Sequence, residues 1–355
     1  MTISPNAVVT TIVVMIAIIT TIALPRMIEL FDLMQITVFI CMSILAISLG
    51  FIWGFGGILC FGQAAFFGIG AYTYAVAAIN IGESTVPLLL AILVPSLFAG
   101  ALGYFMFYGR ISDVYLGVIT LTVTLILFNV INSTAGDQYR IGTAALGGFN
   151  GIPSVPGLNM PFMSDWVFGP EENWYVSAGA LIAVYVALRL LLAGQFGRVV
   201  VAIRENEIRA ALLGYDPRTY KLIVFMIGGG IAGLGGCLFT VWGAFVSPTI
   251  FGLATSAQII IWVTVGGLGT LVGPILGCIA IQYLTSNIGE QQYLNANLIL
   301  GAILLVFVLL IPSGVIPTAR TLVGKALARI RPSRSQPNGI GQLLLSKTST
   351  SPKRT

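Results

Sequence analysis

Residues able to form ion pairs are scarce in this chain, and one stretch between apolar runs concentrates both signs. From Gly194 to Lys221 the sequence reads GQFGRVVVAIRENEIRAALLGYDPRTYK and holds Arg198, Arg204, Glu205, Glu207, Arg209, Asp216, Arg218 and Lys221. Apolar runs flank it, LIAVYVALRLLLA before and LIVFMIGGGIAGLGGCLF after. Charge of both signs on a segment set between apolar runs suits gripping another molecule in water.

Other chemistries are narrowed by what the chain lacks. It has no histidine, and Cys41, Cys60, Cys237 and Cys278 each sit inside an apolar run without a Cys-x-x-Cys pair. That removes zinc sites, haem attachment and histidine-based catalysis, and leaves the cysteines as small buried hydrophobes. No phosphate-binding Gly-x-x-x-x-Gly-Lys-Ser/Thr loop is present. The stretch GGLGTLVGP has glycines but no lysine; Gly269, Gly273 and Gly277 recur every fourth position, the spacing that lets helices approach closely.

All twelve acidic residues fall in predicted loops or at helix ends. Proton- or sodium-driven carriers usually need a carboxylate inside the membrane, so secondary transport is disfavoured. An intramembrane hydrolase would need a nucleophile with a base or a metal, and none is legible. The polar groups that do enter the apolar runs are amides: Gln63, Asn129, Asn132, Gln258 and Gln282. Asn129 and Asn132, three apart, share a helix face. Amides there either tie helices together or line a path for a neutral or zwitterionic solute, with Gln63, Asn129 and Asn132 the candidates.

The elements that position these groups follow from composition. The chain is 57% hydrophobic and 8% charged, with a mean hydropathy of +0.98. Soluble domains carry roughly a quarter charged residues, so this one cannot cover itself in water and must be an integral membrane protein. Apolar runs of about 17–25 residues span a bilayer as helices, and strand-like alternation is absent. The expected fold is all-α and polytopic, with about ten transmembrane helices near 7–24, 35–53, 62–80, 87–108, 115–134, 174–193, 221–245, 255–269, 272–287 and 296–312. The glycines of 255–287 allow either two short spans or one span broken by a re-entrant turn. The first run lacks a basic leader and a small-x-small cleavage site, so an uncleaved first helix is expected.

Basic residues set the orientation, because cytoplasmic loops retain them. With 194–221 inside, all of the 17 basic residues except Arg26 and Arg140 lie inside. Both termini are then cytoplasmic. Residues 135–173 form the largest outward loop, rich in Gly, Pro and Asn, which favours turns. The chain thus divides into a transmembrane domain, 1–318, and a basic tail, 319–355, which reads as disordered and as an anchor beside anionic membrane lipid.

Within the charged loop a helix is expected from Arg204, with Glu205 and Arg209 as an i,i+4 pair and Ile208, Ala211 and Leu212 as an apolar stripe. Gly214 is placed to end it in a left-handed cap, with Pro217 beyond. A helix lying on headgroups would carry mostly basic polar residues. The interspersed Glu205, Glu207 and Asp216 favour docking to a protein.

These residues also carry a family resemblance. The segment GRVVVAIRENEIRAALLGYDPRTYKLIVFMIGGGIAGLGG resembles the cytoplasmic coupling loop and following helix of bacterial ABC-importer permeases, above all the branched-chain amino acid (LivM-type) permease subunits. GGILCFGQAAFFGIGAYTYA, GGFNGIP and SPTIFGLATSAQIIIWVTVGGLGTLVGPILG are similar to further stretches of that family, in its order. The resemblance implies a non-catalytic permease half in the bacterial inner membrane. Its partners would be a second homologous permease, two cytoplasmic ATPase subunits and a periplasmic solute-binding protein; no cofactor and no nucleic acid are implied. Glu207, Ala210, Ala211 and Gly214 approximate the family's loop motif, with Arg198, Arg204, Glu205 and Arg209 around it. Arg204 and Arg209 are expected to meet acidic groups on the ATPase rim. The solute would be a branched-chain amino acid or a related small polar molecule. Urea or a short amide is the alternative, as is a stand-alone channel for small neutral solutes.

Overall fold

The computed structural model describes residues 5–289, except 137, 161 and 162, and the isolated position 301. Apart from position 301, the expected span at 296–312 lies outside the described residues, as does the tail at 319–355. Eleven α-helices are described: α1 (Pro5–Ala23), α2 (Leu30–Gly54), α3 (Gln63–Ile81), α4 (Thr85–Tyr108), α5 (Asp113–Asn132), α6 (Pro170–Ala193), α7 (Gln195–Glu205), α8 (Glu207–Leu212), α9 (Pro217–Gly243), α10 (Leu253–Gly266) and α11 (Val272–Gly289). Among the described residues, seven helices are long and apolar enough to cross a membrane: α1 to α6 and α9.

The region 255–287 forms two helices joined by a turn in which Gly267 and Gly269 take positive φ, 104° and 81°. At 14 residues, α10 is about 21 Å long, short of the roughly 30 Å of a hydrocarbon core. The 3-10 turn Pro248–Phe251 precedes it and buries Pro248, Ile250 and Phe251.

The core is built around α9, because glycine removes the side chains that would hold its neighbours away. A Cβ at Gly228 would collide with Ile52 of α2, one at Gly236 with the Phe67 carbonyl of α3, and one at Gly233 with Ala91 and Pro95 of α4. Gly70 of α3 meets Gly233 backbone to backbone. Phe66, Phe107 and Phe225 fill the space beside these crossings edge to face. Pro95, inside α4, lacks an N–H and so frees a turn of that helix; its ring occupies the space Gly233 leaves. Of the packing glycines expected near 269–277, Gly273 and Gly277 face the backbone of Trp262, Gly266 and Gly267 at the α10–α11 crossing. Gly269 serves the turn instead.

The connections collect at two ends of the bundle. At one end lie the α2–α3 link, the α4–α5 turn at Arg110, the whole 194–216 segment and the α10–α11 turn. At the other end lie the α1–α2 link, the α3–α4 link and residues 133–169. This second end carries three antiparallel two-stranded ribbons: β1 (Arg140–Ile141) with β2 (Ala144–Ala145), β3 (Ile152–Pro153) with β6 (Phe245–Val246), and β4 (Asn159–Met160) with β5 (Met163–Val167). The loop is pinned to the helices by side chains. Asn159 Oδ1 accepts from Ser84 N at 2.9 Å, and Ser84 Oγ accepts from Asn159 N at 3.0 Å.

Candidate functional site

The charged loop is folded, and it is two helices rather than one. Gly197 packs against the backbone of Leu192, where any Cβ would collide, and so allows the sharp corner between α6 and α7. Along α7, Val199, Val200 and Ile203 are buried; Val199 and Ile203 join Ala210 of α8 and Tyr220 of α9 in a small separate core. Phe196 stacks on Tyr220 with centroids 5.4 Å apart.

Asn206 divides the helices. Its backbone is extended (φ −159°, ψ 101°), and its Oδ1 accepts from Arg209 N at 2.9 Å, capping α8. The break replaces the expected Glu205–Arg209 pair: Glu205 instead meets Arg204 at 2.8 Å. The C-terminus of α8 is as expected. Gly214 has φ +89°, Tyr215 N donates to Ala210 O at 3.3 Å and Gly214 N to Ala211 O at 3.0 Å, the pairing of a Schellman end.

Two anchors hold the loop to α9. Lys221 Nζ donates to Glu207 Oε2 at 2.6 Å, with the lysine side chain only 13% exposed. Asp216 caps α9, accepting from Thr219 Oγ1 at 2.7 Å and Arg218 N at 3.2 Å. The Thr219 hydroxyl is the main cause that holds the Asp216 carboxyl below its ordinary pKa, assisted by Arg218.

What α8 leaves outward is apolar. Ile208, Leu212 and Leu213 are 74%, 82% and 76% exposed. Arg198, Glu205, Arg209 and Ala211 are also exposed, whereas Ala210 is buried in the loop's core. Arg204 turns inward: its Nη1 donates to the Gly54 carbonyl at the end of α2.

The candidate path residues are not brought together. Gln63 is buried, with Nε2 donating to Ser48 Oγ at 2.8 Å and Gly228 O at 3.3 Å, so it ties α2, α3 and α9. Asn129 is exposed on α5, its Nδ2 held by Leu125 O at 2.8 Å, and Asn132 is half-buried. Their helix is peripheral: Tyr115, Val118, Thr122, Ile126 and Asn129 form an exposed face. The sequence reading missed Asn206 as a cap, although Asn before Glu-Ile-Arg is a helix-start signal. It also missed the Lys221–Glu207 link, which bridges sequence-distant positions and leaves no local trace.

Among the described residues no group of His, Cys, Asp or Glu could hold a metal, and the four cysteines are free and buried. The described residues form a bundle of apolar helices with one structured, mixed-charge loop at its end. Residues 31–309 match the family described as branched-chain amino acid transport system / permease component, and the chain belongs to that family. It is 29% identical over 307 residues to the high-affinity branched-chain amino acid transport system permease protein LivM of Escherichia coli K12, covering 78% of this chain and 68% of the relative. It is 26% identical over 325 residues to the probable LivM of Methanocaldococcus jannaschii, covering 77% and 90%. LivH of Salmonella typhimurium is 24% identical over 170 residues, 44% of this chain and 53% of LivH. No solved structure matches the chain. The chain is a multi-pass permease subunit of an ABC importer and not itself a catalytic one.

Proposed function

We propose that this subunit forms half of an inner-membrane importer for branched-chain amino acids, paired with a second, homologous permease. Two cytoplasmic ATPase subunits drive the pair, and a periplasmic binding protein delivers the solute. The chain crosses the membrane about ten times with both termini in the cytoplasm. The likeness to both LivM and LivH supports a heterologous permease pair.

The observation that carries the docking assignment is the exposed face of α8. Ile208, Leu212 and Leu213 stand out into water beside Arg209, on a helix capped at both ends and braced by its own small core. Apolar groups held so far out of the protein are a docking surface. Glu207 is occupied by Lys221, so Arg209 is the charge of α8 offered to the ATPase.

The solute path runs along α5. Thr122 and Asn129 are exposed on a helix otherwise long and apolar enough to lie in lipid, where polar groups favour a helix interface or a wet cavity. That face suits the boundary with the second permease, with Asn132 at its outer end. Gln63 acts as an interhelical tie beneath it.

Uptake of radiolabelled leucine into proteoliposomes tests the assignment. It should require this chain, the second permease, both ATPases with ATP, and the binding protein. Uptake by this chain alone would replace the importer with a stand-alone channel. ATP-driven uptake of urea but not leucine would reassign the solute.

A further inference from the structure

Arg204 sits where three chain segments meet. At the C-terminus of α2, the Phe51 carbonyl accepts from Phe55 N and Gly56 N, the Ile52 carbonyl from Ile58 N, and the Trp53 carbonyl from Gly57 N. The Gly54 carbonyl remains, and the Arg204 guanidinium donates to it from α7. A last-turn carbonyl is one of a helix's orphan acceptors, and a cation there also meets the negative end of the helix dipole.

The seat is shaped for this side chain. Gly57 has φ +69°, and a Cβ on it would stand 2.8 Å from Arg204 Cγ. The third segment is the α10–α11 turn: a Cβ at Gly54 would stand 2.9 Å from Gly269 N, and one at Gly269 would lie 3.9 Å from Arg204 Nη1. The C-terminus of α2 and the α10–α11 turn therefore converge near one guanidinium. Glu205 occupies its other amino group at 2.8 Å, and the Arg204 side chain is about one-third exposed. The residue is spent inward, on the bundle.

We propose that Arg204 is a positioning residue, a latch that makes the loop and the ends of α2 and α10–α11 move as one unit. This rests on the reading of 194–221 as the ATPase-docking loop. Without the latch, α9 and the α6–α7 corner would be the routes by which a displaced loop pulls on the bundle. With it, the same displacement is delivered to α2, which α6, α9, α10 and α11 all pack against.

The test uses the assembled transporter in nanodiscs, with Arg204→Met and Arg204→Lys. Arg204→Met keeps bulk but removes every donor; Arg204→Lys keeps one cation. The expected result is wild-type copurification of the ATPase with both variants. Stimulation of ATP hydrolysis by solute-loaded binding protein should fall about fivefold or more in Arg204→Met, the scale of a typical coupling energy, and recover partly in Arg204→Lys. Unchanged stimulation in Arg204→Met overturns the latch. Lost copurification in a variant that still elutes and melts like wild type also overturns it, because Arg204 would then be a docking residue. Failure of the wild-type chain to copurify an ATPase would instead overturn the docking reading itself.

A second measurement leaves Arg204 in place. The four native cysteines are buried, so spin labels can be placed at Ala202→Cys with Leu268→Cys, and at Ala202→Cys with Tyr104→Cys. Between nucleotide-free and ATP-vanadate-trapped states, the Ala202–Leu268 separation should stay fixed while Ala202–Tyr104 changes. A change in the first pair, or in neither, overturns the proposal.

Discussion

Three neighbouring glycines, Gly228, Gly229 and Gly230, look alike in sequence but should respond differently to alanine. A Cβ at Gly230 would find Ile92 and Ser96 at 3.4 Å, ordinary van der Waals distance. A Cβ at Gly229 would stand 2.7 Å from Ala99 Cβ and 3.1 Å from the Pro95 carbonyl. Neither neighbour can rotate away, since alanine has no rotamer and the carbonyl is backbone. Restoring 3.4 Å from 2.7 Å moves α4 and α9 apart by 0.7 Å. A gap of about 0.5–1 Å forfeits a quarter to a half of each contact's attraction along the seam. Overpacking of this kind costs about 1–3 kcal/mol. Alanine also gains roughly 1 kcal/mol of helix propensity over glycine, but that gain is shared by both variants and cancels in their difference. Gly230→Ala should therefore be neutral or slightly stabilising, and Gly229→Ala about 1–3 kcal/mol less stable than Gly230→Ala. Gly233→Ala should be worse still, because its Cβ would overlap both the Ala91 carbonyl and the Pro95 ring. The assay is the midpoint of heat-induced loss of the monodisperse peak in detergent, read by fluorescence size exclusion. A Gly229→Ala midpoint equal to or above that of Gly230→Ala would refute the packing argument.

Exposed Ile208 and Leu212 should tolerate Ile208→Asp and Leu212→Asp with an unchanged melting midpoint, while copurification of the ATPase drops; a fall in stability without loss of copurification would contradict the docking face. Because the Asp216 carboxyl titrates below its ordinary range, the stabilisation it gives is fully present above the unfolded-state pKa and is lost as pH falls through the lower folded value. Asp216→Asn should therefore flatten the acid limb of the loop's stability, measured by limited proteolysis against pH. Asn159→Ala strands the buried Ser84 N–H and should cost about 1–3 kcal/mol, seen as faster proteolysis within 133–169; wild-type resistance would mean the ribbon is held elsewhere.

Much of the membrane architecture was legible from one dimension. Continuous apolar runs give α1 to α6 and α9 to α11, because a helix in lipid must satisfy its own backbone and needs apolarity along its length. Gly214 was legible as a helix end for a similar local reason, since an α8 left-handed terminus favours glycine. The break at Asn206 was less so: its cap competes with helix continuation over a few residues, and the neighbouring core of Val199, Ile203, Ala210 and Tyr220 decides the contest.

Sequence alone determined that this chain lies in a membrane and that one loop between its apolar runs concentrates charge of both signs; the resemblance of that loop supplied its kinship. Those properties are sums over neighbours in the chain. The tertiary structure decided which way Arg204 points, which of three neighbouring glycines has room for a side chain, and that Gln63 ties helices while Asn129 faces outward. Each depends on a partner brought from far along the chain, and only the packed helices make that meeting.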